Sequence, residues 1–325
     1  MPFFPDFKYF DLIRPMPPSG RPQVTLKSPC LKEVANAWNE NMWRTSSFCL
    51  FPSEIAATAL HKQLWRDYAV FKVTGKLTLK EKRFSEKIEK AISKEVEKCK
   101  EAWKEEFFSS GMNAASERRL TIGVEHINLL LKTEMGAMQS MTNILYSVVI
   151  ESWTAFETLA GDLWYIALDR GLAEWRKRAG LRYDKPRATS DSDSSTIDVA
   201  TIADPQNGYG SFLRDSEKVP FQKLPNIKTA YGTVFGKQIQ RKLFAKDAYI
   251  DALSAVRNVI THKAGIADRK YVEAVKTFPE LNTVPKNKSI GLDGQIVRKL
   301  RNSAIIVGNE LVMFLDEQLS NRAKP

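Results

Sequence analysis

Hydrophobic residues recur along this chain mainly at steps of three, four and seven, which is the spacing of one buried face on an α-helix. The chain shows no alternation of strand and helix patterns and no repeat of fixed period. We therefore predict an all-α fold, with a turn or brief strand pair at 287–295. The predicted helices cover residues 31–43, 52–73, 77–108, 116–135, 140–169, 238–260, 271–276 and 297–319.

The pattern predicts two helical regions, separated near Ser109-Ser110-Gly111. The first, residues 1–115, begins with an arm rich in proline and aromatic residues, followed by helices. The second, residues 116–325, is predicted to be a helical domain. Residues 186–211 interrupt it with serine, aspartate and threonine and without any period, so we interpret them as a polar insertion.

Composition narrows the class of protein. Lysine and arginine number 49 against 38 acidic residues, a net charge of +11 that favours a polyanionic partner. The cysteines, Cys30, Cys49 and Cys99, lie singly, which predicts no disulfide framework and no zinc site. The start does not resemble a secretory signal, and no apolar run reaches membrane-spanning length. We expect a cytoplasmic protein with no membrane segment, no metal and no cofactor.

Residues 218–246 carry seven basic residues and no acidic residue, interleaved with aromatic residues. Basic side chains beside aromatic rings suit single-stranded RNA, which offers phosphates and stackable bases together. The alternative is a basic surface whose aromatic residues are buried. The aromatic residues are Phe221, Tyr231, Phe235 and Phe244. The candidate RNA-binding residues are Lys218, Lys223, Lys228, Lys237, Arg241, Lys242 and Lys246, with Lys263 further along the chain.

A candidate site follows this basic run. Gly265 is placed to close the helix, so His262 lies in the last turn, where exposed carbonyl groups favour an imidazolium. Asn258 and His262 are four residues apart and share a helical face, whereas Arg257 pairs in the same way with Thr261. Arginine can hold a phosphate by two hydrogen bonds while histidine moves a proton. These abilities suit RNA transesterification by the 2'-hydroxyl group, without a metal.

The sequence Arg257-Asn258-x-x-x-His262, continued by Lys-Ala-Gly-Ile-Ala-Asp and by Lys270-Tyr271-Val272, resembles the R-x4-6-H motif of the HEPN ribonucleases, in particular the RiboL-PSP-type branch. The resemblance covers about residues 118–320 and implies a HEPN-like helical bundle. It implies that Arg257 stabilises the phosphorane, that His262 is the acid or base and that Asn258 positions one of them. Thr261 would support the site, and Glu157 matches an acid on the preceding amphipathic helix. Bare spacing also allows a second pair, Arg119 and His126.

The resemblance also implies an assembly and a biological setting. HEPN relatives pair their motif helices about a two-fold axis, so we expect a homodimer. They often act as toxins or in phage defence, which leaves room for a cognate inhibitor or a defence-system partner. Three function classes remain open: a metal-independent endoribonuclease, a HEPN-like protein that binds RNA or a partner without turnover, and a structural helical protein in which Arg257 and His262 satisfy their surroundings. We favour the endoribonuclease.

Overall fold

The computed structural model describes residues 26–75, 84–109, 123, 127, 135–183, 208–215, 219 and 221–321. Over these residues the chain is all-α, as predicted, and an isolated antiparallel bridge joins Ile266 to Ser289. The α-helices within these ranges are α1 (Lys32–Thr74), α2 (Glu86–Ser109), α3 (Met135–Arg170), α4 (Ala173–Tyr183), α5 (Tyr209–Asp215), α6 (Leu224–Phe235), α7 (Lys237–Phe244), α8 (Tyr249–Lys263), α9 (Arg269–Ala274) and α10 (Gly294–Ser320). The predicted helix 116–135 lies almost entirely outside the described residues.

The described residues form two compact units, those of 47–143 and those of 26–46 together with 144–321. Residues 26–46 join the second unit through long-range hydrogen bonds. The indole nitrogen of Trp38 donates to Asn309 at 3.0 Å, and the backbone nitrogen of Ser28 donates to the Asp316 carboxylate at 2.7 Å. This division differs from the expected boundary near residue 115, because partners about 270 residues apart leave no local signal in the sequence.

In the first unit, α2 packs against the end of α1. Ala69, Val70 and Ile92 are buried between them, and Arg66 on α1 forms an ion pair with Glu89 at 3.1 Å. The helix predicted for residues 77–108 presents its apolar residues to this contact where the structure describes it. Its partly buried apolar residues beside Ile92 are Phe84, Ile88 and Val96.

Two helix boundaries were predicted wrongly. Residues 31–43 and 52–73 belong to one helix, α1, which continues through Pro52. An interior proline costs a helix about 3 kcal/mol, a penalty that the long helical stretches on both sides can offset. The predicted helix 238–260 is instead divided into α7 and α8. Asp247 lies at this break, where its carboxylate accepts the Tyr249 backbone N–H at 2.8 Å, a local bond that competes with a continuous helix.

The C-terminal elements follow the prediction with small shifts. The helix predicted at 271–276 is α9, which starts at Arg269 because Asp268 caps it by accepting the Tyr271 N–H at 2.8 Å. The helix predicted at 297–319 is α10, which starts at Gly294 with Asp293 as its cap. The end of the predicted insertion 186–211 lies in α5, and residues 184–207 are outside the described ranges.

The core of the second unit is built on α3, which carries two fully buried tryptophans, Trp153 and Trp164. The Trp164 indole donates to the Ala230 carbonyl at 3.1 Å, and the Tyr231 hydroxyl donates to the Ala160 carbonyl at 2.9 Å. These reciprocal bonds fix α6 against α3. Helix α8 packs in turn on α10 and α9, which places its exposed face at the edge of the unit.

None of the helices in the described part of the chain is long and apolar enough to cross a membrane.

Candidate functional site

The roll of α8 about its axis is set by its buried apolar stripe, which includes Leu253, Val256 and Ile260 as predicted. Asn258 is half-buried at the edge of this stripe, and His262 is exposed. Because the apolar residues face the core, Asn258 and His262 share the outward face predicted from their four-residue spacing.

Helix α8 ends in a left-handed turn. Ala264 has φ 48° and ψ 37°, and Gly265 follows with φ 77°. The backbone N–H groups of both residues donate to the Val259 carbonyl, and the Gly265 bond is 3.1 Å long. The prediction that His262 lies in the last turn is confirmed, although the left-handed conformation begins one residue before Gly265. His262 therefore lies beside the free carbonyl groups at the end of the helix.

This turn is fixed from two sides. The Ile290 backbone nitrogen donates to the Gly265 carbonyl at 2.8 Å, and the Tyr146 hydroxyl on α3 donates to the Ile290 carbonyl at 3.1 Å. Burial raises the pKa of the Tyr146 hydroxyl, so it remains a donor at neutral pH. The C-terminal turn of α8, and with it His262, is therefore tied to α3 through the loop around Ile290.

Arg257 and Asn258 are in contact. The Arg257 Nη1 atom donates to the Asn258 Oδ1 atom at 3.1 Å, while the Arg257 Nε atom is buried and has no hydrogen-bond partner among the described atoms. Glu157, the supporting acid implied by the resemblance, accepts the Trp153 indole N–H at 2.8 Å. Its carboxylate thus bonds to a neighbour on α3. The described contacts do not join it to Arg257.

Asn258 and His262 open into a cleft of about 660 Å³. Helix α8 forms its floor, the start of α6 forms one wall, and the segment that begins α9 forms the other. Neither Arg257 nor Thr261 is among the described residues that line it. The lining residues are Lys223, Leu224, Pro225, Asp251, Ser254, Ala255, Asn258, Val259, His262, Lys263, Asp268, Lys270, Tyr271 and Ala274.

The cleft is mainly cationic. Lys223, Lys263 and Lys270 are exposed along it, whereas its two acids are engaged in other contacts: Asp251 pairs with Lys228 at 2.6 Å, and Asp268 caps α9. The lining therefore carries three lysines against two carboxylates, one of which is already paired with Lys228, so a net positive charge remains to attract a phosphate.

Tyr271 cannot serve as a base in this cleft. Burial raises the pKa of its hydroxyl to about 12, so the group stays protonated at neutral pH. The imidazole of His262 on the floor is then the lining group best suited to act as a general acid or base.

The structure divides the predicted RNA-binding residues into three groups. Lys223 and Lys263 line the cleft, and Lys237, Arg241 and Lys242 are exposed on α7. Lys228 and Lys246 are held in ion pairs, with Asp251 at 2.6 Å and with Glu310 at 3.2 Å. The predicted residue Lys218 and the alternative pair Arg119 and His126 lie outside the described residues.

The interpretation of the aromatic residues in the basic run as base-stacking surfaces is wrong. Phe221, Tyr231, Phe235 and Phe244 are all buried, with at most 8% of each residue exposed. The Tyr231 ring contacts those of Phe235 and Phe244, with centroids 5.4 and 5.7 Å apart, and the Phe221 ring contacts Trp164 on α3 at 5.6 Å. The alternative, a basic surface over buried aromatic residues, is confirmed.

Sequence reasoning missed part of this site. Asp251 lies seven residues before Asn258 and eleven before His262, so helical periodicity could have placed it on the same face. Asp268, Lys270 and Tyr271 come from a different element, and only the tertiary structure brings them to the cleft. Lys270 and Tyr271 were visible as a continuation of the motif but carried no assigned role.

Comparisons of the chain with models of protein families, with curated proteins and with solved structures found no match. The described residues contain no cluster of three or more histidine, cysteine, aspartate or glutamate side chains that could hold a metal ion. The chemistry of the cleft therefore has to be argued from its own residues.

Proposed function

We propose that this chain is a metal-independent endoribonuclease that cleaves RNA by attack of a 2'-hydroxyl group on the adjacent phosphate. The observation that carries the proposal is that His262 and Asn258 open into one cleft together with Lys223, Lys263 and Lys270. A group that transfers protons near neutral pH, an amide donor and a cationic surface are what this reaction requires. The resemblance of the motif to that of HEPN ribonucleases supports the same reaction.

In this reaction a base removes the proton of the 2'-hydroxyl group, the O2'–P bond forms, the P–O5' bond breaks and an acid protonates the leaving 5'-oxygen. His262 is the group proposed to transfer one of these protons. The cleft lysines offset the negative charge of the substrate phosphates. Since one chain offers a single described histidine in the cleft, the second proton transfer falls to water or to a second copy of the chain.

A homodimer with two motif helices at a shared groove is therefore part of the proposal. The cytoplasmic setting and the role as a toxin or phage-defence effector, with a cognate inhibitor or defence-system partner, are proposed from the resemblance alone. These proposals concern the biological role of the reaction, whereas the residues of the cleft support the reaction itself.

A second function, RNA binding without cleavage, is favoured by one observation. By its resemblance to the motif, Arg257 would stabilise the negative charge of the phosphorane. It lies outside the described lining of the cleft. A cationic cleft can hold a phosphate backbone without catalysing its rupture.

The test is to incubate the purified chain with end-labelled single-stranded RNA in EDTA and to compare the wild type with His262→Ala. We expect products with 2',3'-cyclic phosphate and 5'-hydroxyl ends from the wild type, strong loss of cleavage in the variant, and no cleavage of an all-deoxy strand. Equal cleavage of DNA, or full activity of the variant, would contradict the proposal. Tight binding of RNA without products would establish the second function.

A further inference from the structure

The position of Arg257 differs from what its motif role requires. A side chain that stabilises a phosphorane has to reach the phosphate, yet Arg257 is half-buried and is absent from the described residues that line the cleft. Its Nη1 atom instead donates to the Asn258 Oδ1 atom at 3.1 Å, and its Nε atom is buried. The guanidinium group is therefore directed at the amide of the next residue.

This contact decides which part of Asn258 is offered to a ligand. A side-chain amide carries one oxygen acceptor and one nitrogen donor group. Because Arg257 occupies the Oδ1 atom, the Nδ2 group is the part of Asn258 left to donate, and Asn258 itself lines the cleft. A donor fixed in this way suits a phosphate oxygen.

The cations that face the cleft are lysines. Lys223 lies at the start of α6, Lys263 at the end of α8 and Lys270 on α9, so they come from the floor and from both walls. All three are exposed, and none forms an ion pair with another described residue. The charge opposite a bound phosphate is thus supplied without Arg257.

We propose that Arg257 is a positioning residue that holds Asn258 with its Nδ2 group directed at the substrate, and that Lys270, together with Lys223 and Lys263, binds the phosphate backbone. This inference rests on the proposed ribonuclease function and assigns the parts within the same cleft. It makes two separable claims, one about the coupling of Arg257 to Asn258 and one about Lys270.

A double-mutant cycle tests the coupling. We expect Asn258→Ala to lower kcat on the order of 100-fold, as for the loss of one donor to a developing charge. Arg257→Ala should lower kcat without changing the salt dependence of KM, and the double variant should be within about threefold of Asn258→Ala alone. If the fold-decrease in kcat of the double variant equals the product of the two single decreases, the proposal is overturned, because Arg257 then acts independently of Asn258.

Arg257→Lys separates positioning from charge. Lysine keeps the positive charge but lacks the planar group that holds the amide, so we expect its kcat to match that of Arg257→Ala. Recovery of most of the activity in Arg257→Lys would show that the charge is what matters and would overturn the proposal. The melting temperature of each variant establishes that it is folded.

Lys270→Ala should raise KM and reduce the slope of log affinity against log salt by about one, with kcat nearly unchanged. Arg269→Ala is the matched control, since Arg269 is the exposed neighbour on α9 and is not among the described lining residues. Equal effects of the two variants would overturn the assignment of Lys270.

A measurement without substrate distinguishes this inference from the proposed function. The side-chain amide signals of Asn258 can be assigned in a ¹⁵N spectrum by their loss in Asn258→Asp. We expect these signals to shift and to exchange faster with water in Arg257→Ala. Unchanged signals in Arg257→Ala would overturn the positioning contact whatever the activity. Shifted signals in Arg257→Ala, together with a wild type that cleaves no RNA, would overturn the ribonuclease proposal and leave the contact supported.

Discussion

Tyr146 and Gly265 are in direct contact although α3 and the turn after α8 are far apart in the sequence. A β-carbon at Gly265 would lie 2.6 Å from the Tyr146 hydroxyl oxygen, and Gly265 has φ 77°. Position 265 therefore requires glycine for two independent reasons, its backbone conformation and its close approach to an aromatic side chain. His262 precedes this position by three residues, so the contact also holds the last turn of α8, which carries His262.

Gly265→Ala should lower the free energy of unfolding by about 2–5 kcal/mol. About 1–2 kcal/mol is expected from the left-handed backbone and about 1–3 kcal/mol from displacing Tyr146. Urea denaturation measures the loss, and RNA cleavage should fall with it because the last turn of α8 has to shift.

Two other glycines separate these causes. Gly75 has φ 68°, and a β-carbon at this position would have no described atom within 4 Å, so Gly75→Ala should show the backbone cost alone. Gly291 has neither the left-handed conformation nor a close neighbour, and Gly291→Ala should be neutral within about 0.5 kcal/mol. Equal losses at Gly75 and Gly265 would show that the Tyr146 contact contributes nothing.

The floor of the site could be predicted from the sequence because its determinants are local. The buried stripe of Leu253, Val256 and Ile260 follows from helical periodicity, and Gly265 marks the end of the helix. Where a local cue was overlooked, the prediction failed: the Asp247 carboxylate accepts a bond from the backbone two residues later, just before α8 begins, and the predicted helix ran through this turn.

The walls of the site could not be predicted, since they depend on tertiary contacts. Lys228 looked like a cation available to RNA, but it pairs with Asp251, 23 residues further along the chain. From the sequence, the aromatic residues of the basic run could either stack on RNA bases or pack in the protein core. They are buried in the core, as Tyr231 is against α3. Neither outcome has a signature in residue spacing.

His262→Ala should reduce RNA cleavage by two or more decades, on the order expected for the loss of an acid-base group. Thr261→Ala is the matched control, because Thr261 is also exposed in the last turn but does not belong to the described lining of the cleft. Its activity should stay within a few-fold of the wild type. Initial rates at saturating RNA measure both, and similar losses in the two variants would attribute the effect to the helix end and not to the imidazole.

The proposed dimer should be detectable by light scattering at the concentration of the activity assay. Two proton transfers are needed at opposite sides of the phosphate, and one His262 cannot readily perform both from a single helix face. We expect a mass twice that of the 36.9 kDa chain and an activity that falls on dilution below the dissociation constant. Full specific activity at a monomeric mass would rule out a composite site.

Glu280 should make stability depend on pH in the acid range. Hydrogen bonds from Lys299 and then from Tyr249 lower the pKa of its carboxyl from 4.5 to about 2. A lowered pKa stabilises the fold above the ordinary value, and this contribution is lost as pH falls through about 2. The melting temperature of Glu280→Gln should be on the order of 1–3 °C below that of the wild type at pH 7, since the carboxylate is partly exposed.

The same difference should shrink as pH falls from 4.5 to about 2 and disappear below that, where the wild-type carboxyl is also neutral. Glu273→Gln is the control, because Glu273 is exposed and its side chain forms no ion pair with a described residue. Its melting temperature should stay close to that of the wild type over this pH range. A constant difference for Glu280→Gln would show that the contacts do not depend on the charge of the carboxylate.

The lysines of the basic run should differ in their effect on RNA binding according to their partners. Lys263 is exposed in the cleft, so Lys263→Gln should weaken binding and reduce the slope of log affinity against log salt by about one. Lys246 is held by Glu310 at 3.2 Å, and a cation already neutralised by a carboxylate releases few counterions when RNA binds. Lys246→Gln should therefore leave the slope nearly unchanged. Fluorescence anisotropy with labelled RNA at several salt concentrations gives both slopes, and equal changes would mean that RNA displaces Glu310 from Lys246.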